Sequence, residues 1–266
     1  ASSAASSAWA TAGRAAVETW RSLGVTTANS LEFMWRFKSQ GLLLAIGATL
    51  LFAIILAVVL QRFFSPLIHR DPDNSDPHYI HRLSVGFWSA TIPAMAWAFV
   101  ILCALGFLYS FNVLRSDLFD ILRAAAWAGV GIYYVWKLAR GIVSPGKPQW
   151  RLVWVSDLGA SRIVAFVVAL AAINGLTYVL SVINVALDAP LVLTVAESFV
   201  ASIATGITLV LLSFLRPMDR VGQNTAAWPR LLRFLVLMAG IGLIVTALSG
   251  YIGLARFASS QIVVTG

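Results

Sequence analysis

Three histidines and three aspartates crowd one short stretch of this chain, IHRDPDNSDPHYIH, where His69, Asp71, Asp73, Asp76, His78 and His81 fall within 13 residues. Imidazole nitrogens and carboxylate oxygens are ligands for divalent metals, and the spacing of His78 and His81 lets them share one helix face. The same stretch holds two Asp-Pro pairs and an Asn-Ser step, which is turn chemistry. Its aspartates also lack the glycine and terminal glutamate of a calcium loop. It therefore reads first as a polar turn between helices and only second as a metal or pH-sensing site. The other chemically capable group is Glu197, the only acidic residue well inside an apolar stretch. An ionisable group at that depth points either to a helix partner or interfacial position, or to proton or ion coupling. Asn174 is the one deep amide, expected to hydrogen-bond between helices, whereas Asn112 and Asn184 fall at the ends of apolar stretches.

Nothing else in the chain has the spacing of a reaction centre. There is no Ser/His/Asp arrangement, no phosphate-cradling glycine loop, no paired catalytic carboxylates and no Cys/His metal pattern. Cys103 is solitary, which excludes an internal disulfide and reads as a small core residue. The sequence therefore predicts no catalytic residue, no cofactor site, no metal centre and no enzyme.

The elements that must hold these groups are membrane spans. Charge-free runs cover 39–61, 83–114, 163–187 and 234–255, and each is long enough to cross a bilayer core of about 30 Å at about 1.5 Å per residue. Two weaker stretches are 118–138, whose uncharged core is only 124–136, and 190–215, which carries Glu197. Hydrophobic residues make up 59% of the chain and charged residues 11%, with a mean hydropathy of +0.85. A soluble chain averages about 25% charged. The fold class predicted is an all-α, polytopic membrane helix bundle. Its six spans lie at about 40–62, 84–111, 118–139, 160–184, 191–215 and 232–254. A linker or interfacial helix over 1–38 precedes them, and the truncated start of a further helix follows over 257–266. Within the first segment the small, low-complexity ASSAASSAWATAG reads as a linker, and a helical pattern begins at Arg14. The chain, which begins without methionine, reads as a piece of a longer protein.

Orientation follows from the basic residues. The connections after the first, third and fifth spans hold Arg62, Arg70 and Arg82; Lys137, Arg140, Lys147, Arg151 and Arg162; and Arg216, Arg220, Arg230 and Arg233. The opposite connections hold only Arg115 and Arg123, none, and Arg256. Positive residues in short loops mark the cytoplasmic side, so the N-terminus is expected outside, in the periplasm of a Gram-negative cell. The same bias requires 118–138 to span, with Arg123 and Lys137 snorkelling to the two interfaces. The net charge of +8 is thus topological and lipid-directed, and no nucleic-acid partner is expected.

Small residues at i, i+4 spacing are candidate close-packing points: Ala125 with Gly129, Ser202 with Gly206, and Gly242, Thr246 and Gly250. Pro93, ten residues into the second span, removes a helix hydrogen bond and is expected to kink it. Trp35, Trp88, Trp150, Trp154 and Trp228 lie near the expected interfaces, as an aromatic belt does.

The stretch YIGLARFASSQIVVTG (251–266), with the preceding RLLRFLVLMAGIGLIVTALSG and the segment Arg216, Pro217 and Met218, resembles the membrane region of large bacterial mechanosensitive channels. These form the multi-helix branch of the small-conductance mechanosensitive channel family, which carries a periplasmic N-terminal domain. The resemblance runs from about Ser39 to the end. The family's glycine- and alanine-rich pore helix and its β-rich vestibule have no counterpart here, so no pore-lining residue carries over. What the resemblance implies is a tension-sensing segment in the inner membrane, used in ion transport under osmotic stress. Its helices would be peripheral to the pore, hold membrane lipids between them, and join a homo-oligomer through the pore region. Pro93, Gly240, Gly242, Gly250 and Gly253, with Gly129 and Gly206, would be its candidate gating or packing positions. A secondary transporter segment and a structural or assembly membrane subunit are the alternatives.

Overall fold

In the computed structural model the described residues are 2–68, 79–111, 116–144, 152, 155–215, 218–220, 223–226 and 230–250. They form seven helices: α1 (Ser2–Phe37), α2 (Ser39–Ile68), α3 (Tyr79–Ser110), α4 (Ser116–Val143), α5 (Asp157–Ala186), α6 (Leu191–Ser213) and α7 (Arg230–Leu248). A small antiparallel hairpin, β1 (Met218–Arg220) with β2 (Gln223–Ala226), lies between α6 and α7. The fold is all-α. Six helices, α2 to α7, are long and apolar enough to cross a membrane, and the chain is a multi-pass membrane protein. Their apolar residues run around most of each helix circumference, as they must where the surrounding solvent is hydrocarbon.

The helices do not close into a compact bundle. Apart from marginal approaches, α2 packs on α3, α3 on α4, α4 on α5, α5 on α6 and α6 on α7, each on its neighbour in the chain. The one substantial exception is α1, which returns to α6. Position in this row sets burial. Only 6% of the α2 span is buried, against 33% of α6, which meets α1, α5 and α7. Leucines and isoleucines such as Leu43, Leu44, Leu50 and Ile54 stand exposed on α2, surface suited to lipid.

Within the row, glycines fix the closest crossings. A Cβ on Gly141 of α4 would lie 2.6 Å from the carbonyl oxygen of Gly86 on α3, so only hydrogen fits there. Gly86, Ala90 and Ala94 form a buried i, i+4, i+8 stripe on α3. The α6–α7 crossing has the same chemistry: a Cβ on either Gly206 or Gly240 would sit 2.9 Å from the other's carbonyl oxygen. Ser198, Ser202, Thr205, Leu209 and Leu212 continue that buried face of α6 at alternating four- and three-residue steps, opposite Gly240, Leu243 and Ala247 of α7.

Several sequence expectations change here. The low-complexity opening is helical rather than an irregular linker, because alanine is the strongest helix former and hydroxyls such as Thr11 bond back four residues, to Ser7 O at 2.7 Å. Gly129 faces open space with Ala125 exposed; the packing face of α4 runs one residue earlier, through Ala124, which is buried, and Ala128, which touches Gly175 of α5. Gly242 also faces open space, since the α7 seam passes through Gly240, Leu243 and Ala247. Gly250 makes no close contact but adopts φ +84°, and its N–H closes the end of α7 onto Ala247 O at 3.2 Å. That is the left-handed glycine cap of a helix C-terminus. Pro93 lies inside α3 between buried Ile92 and Ala94. Gly253 and the 257–266 helix start lie outside the described residues.

In α4, Arg123 pairs with Asp120 at 2.9 Å, while Lys137 and Arg140 lie over the Trp136 ring, each 5.2 Å from its centroid. The charges at both ends of this weakly apolar span therefore have local partners.

Candidate functional site

The polar chemistry of the described residues gathers where α5 turns into α6. Leu187 N and Ala189 N donate to Ile183 O at 3.0 Å and Asn184 O at 2.8 Å, and Asp188 takes φ +50°. Aspartate tolerates this left-handed conformation better than most residues. Pro190 then provides the extended N-cap of α6. The turn is only a few residues long, so α5 and α6 run back antiparallel and residues equidistant from it come opposite one another. Asn184, three residues before Leu187, and Glu197, seven after Pro190, are not equidistant from it, but their side chains meet across the α5–α6 contact. Asn184 Nδ2 donates to Glu197 Oε2 at 2.6 Å, a charge-assisted bond between helices. Asn184 is buried, with its backbone carbonyl engaged by the turn and its amide by the carboxylate.

Two hollows flank this bond. On one side a polar pocket of about 710 Å³ is lined by Asp120 and Arg123 of α4, Ser181 and Asn184 of α5, Asp188 of the turn and Thr194 of α6. On the other an apolar cleft of about 400 Å³ separates α1, α5 and α6. Trp9, Ala12, Gly13 and Ala16 form its α1 wall, and among the described residues Glu197 is the only charged one that lines it. Trp9 is fixed edge-on to Phe199 of α6, ring centroids 5.5 Å apart. Apart from Trp9, the residues that α1 turns toward the cleft are small, so they leave the space between α1 and α6 unfilled.

The candidates named from sequence divide accordingly. Glu197 is a helix partner, bonded across to α5. Asn174 is not: its amide donates to Leu170 O of its own helix at 3.0 Å, the usual fate of a polar side chain that meets no partner on the next helix. The interhelical amide is Asn184, at the end of its apolar stretch; no spacing in the sequence singles it out, since it stands nearer the Leu187–Pro190 turn than Glu197 does. Gly206 and Gly240 are brought together, Gly129 and Gly242 are not, and Pro93 is remote from both hollows in α3. Of the histidine and aspartate cluster only His81, in the first turn of α3, is described, and no group of three or more metal-ligating side chains occurs among the described residues. Family models, curated proteins and solved structures were each compared with the chain, and none matches it.

Proposed function

We propose that the chain is the membrane-tension-sensing segment of a bacterial mechanosensitive channel, peripheral to a pore built outside these residues. The observation that carries this reading is the open row of helices. Tension favours the conformation with the larger in-plane area, by an energy proportional to the area difference between states. A row in which each span packs on its chain neighbours, through smooth glycine and serine crossings, can spread or curve by many small tilts. The resemblance of 251–266 to the membrane region of such channels supports the same assignment. In this reading the basic connections face the cytoplasm, the N-terminus is periplasmic, the membrane is the inner one, and copies associate through the pore region with lipid between their spans.

Patch-clamp recording tests it, with the full-length product of the gene reconstituted into liposomes. Suction is expected to evoke currents absent from empty liposomes. Tension-independent current, or none at any tension short of rupture, overturns the reading. The Asn184–Glu197 bond favours a second reading, a coupled transporter with an acidic residue in its pathway. Solute or proton flux abolished by Glu197→Gln, with no response to suction, would establish that alternative.

A further inference from the structure

The cleft between α1, α5 and α6 combines three features. Its walls are almost wholly apolar, including Ile173, Leu176, Leu193 and Val200. Glu197 lines it without a cationic partner among the described residues; its hydrogen bond there comes from the neutral amide of Asn184. Trp9 contributes an indole at the α1 side. A carboxylate that faces an apolar space with no counter-charge favours an incoming cation, because low dielectric strengthens the pairing. An indole face adds attraction for ammonium groups in particular. The volume of about 400 Å³ is within the range of small-ligand sites.

We propose that this cleft binds a single-chain amphiphile with one positively charged ammonium head. Its head lies between Glu197 and Trp9, and its hydrocarbon tail extends along α6 toward Ala204, about 10 Å beyond Glu197. The charge complementarity selects this occupant over a neutral or anionic amphiphile: an anion meets like charge at Glu197, and a neutral head leaves the carboxylate unpaired. The site is independent of whether the protein responds to tension, so binding is read directly and not through current.

The test uses the full-length protein in dodecyl maltoside, a nonionic detergent, with dodecyltrimethylammonium bearing a diazirine at the end of its chain. After photolysis the labelled residues are located by peptide mass spectrometry. The expected result is saturable labelling within the α1, α5 and α6 residues that line the cleft. Unlabelled dodecyltrimethylammonium should compete and dodecanol should not. Glu197→Gln should weaken labelling by about tenfold and Trp9→Leu by about threefold, as expected for losing one partly desolvated charge contact and one cation–π contact. Ala201→Phe should block the cleft with the carboxylate intact. Labelling that does not saturate, that dodecanol displaces equally well, or that persists unchanged in Glu197→Gln overturns the proposal and reduces the cleft to an acyl-chain surface. If Glu197→Gln fails to yield folded protein, the dodecanol competition on the unaltered protein decides alone.

Discussion

The two sides of α6 solve helix association in opposite ways. Toward α7, the Gly206–Gly240 crossing brings the backbones so close that a single added carbon would meet a carbonyl oxygen at 2.9 Å. Toward α5, packing is looser, hollows of about 710 and 400 Å³ flank the contact, and one 2.6 Å hydrogen bond from Asn184 to Glu197 ties the helices. The first side depends on shape and, among the described residues, involves no bond between side chains; Ser198, Ser202 and Ser213 all return their hydroxyls to carbonyls of α6 itself. The second depends on one directional contact. In hydrocarbon, where apolar surface gains little from burial against another helix, these are the two available means of holding helices together. α6 thus has a close-packed contact on one side and a looser one, tied by a hydrogen bond, on the other.

The contrast can be broken most decisively at the glycines. Gly206→Leu should be the most damaging substitution, since its Cβ alone would meet Ile244 Cγ1 at 2.7 Å and Gly240 O at 2.9 Å. A loss of about 3 kcal/mol is expected, visible as a lowered thermal unfolding midpoint in detergent. Gly141→Ala should follow at about 2 kcal/mol, its added carbon meeting Gly86 O, an atom that side-chain rotation cannot move. Removing the α5–α6 tie should cost less. A double-mutant cycle on Asn184→Ala and Glu197→Ala should return a coupling of about 1 kcal/mol, typical of polar contacts between membrane helices. Gly242→Ala, on the open face of α7, should stay within about 0.5 kcal/mol of the unaltered protein. Should Gly242→Leu prove as harmful as Gly206→Leu, the distinction between seam and open face would be wrong. A coupling near zero for the Asn184 pair would leave the looser side without its tie.

Much of the architecture is legible in the chain because bilayer thickness leaves a simple signature. Six apolar stretches correspond to six helices, and basic end residues let even the weak 118–138 stretch become a helix over its full length. What escapes the sequence is the rotation of each helix. Ala125 and Gly129 have the spacing of a packing pair, yet the neighbouring Ala124 and Ala128 face inward. Small residues are so frequent on these helices that spacing alone does not choose among rows. On α3 the Gly86, Ala90, Ala94 row packs, as the Ser202, Gly206 row does on α6. At the candidate site Glu197 stands out by charge. Asn184 does not, because its role depends on a turn geometry set by Asp188 and Pro190. The cleft beside it depends on α1, whose alanine-rich opening has too little pattern to announce that it docks.

The junction between α1 and α2 has a mechanical consequence. Lys38 N donates to Met34 O at 3.0 Å and Leu42 N to Lys38 O at 2.9 Å, so helix-type bonds bracket the bend on both sides. From Lys38 to Trp9 the helix measures about 44 Å. It is a lever whose fulcrum is the end of the most lipid-exposed span and whose far tip rests on the most buried one. A rocking of that outer span by about 5° would, if the bend stayed rigid, displace the tip by about 4 Å. Disturbance at one end of the row would thereby arrive enlarged at α6, without passing through α3, α4 or α5.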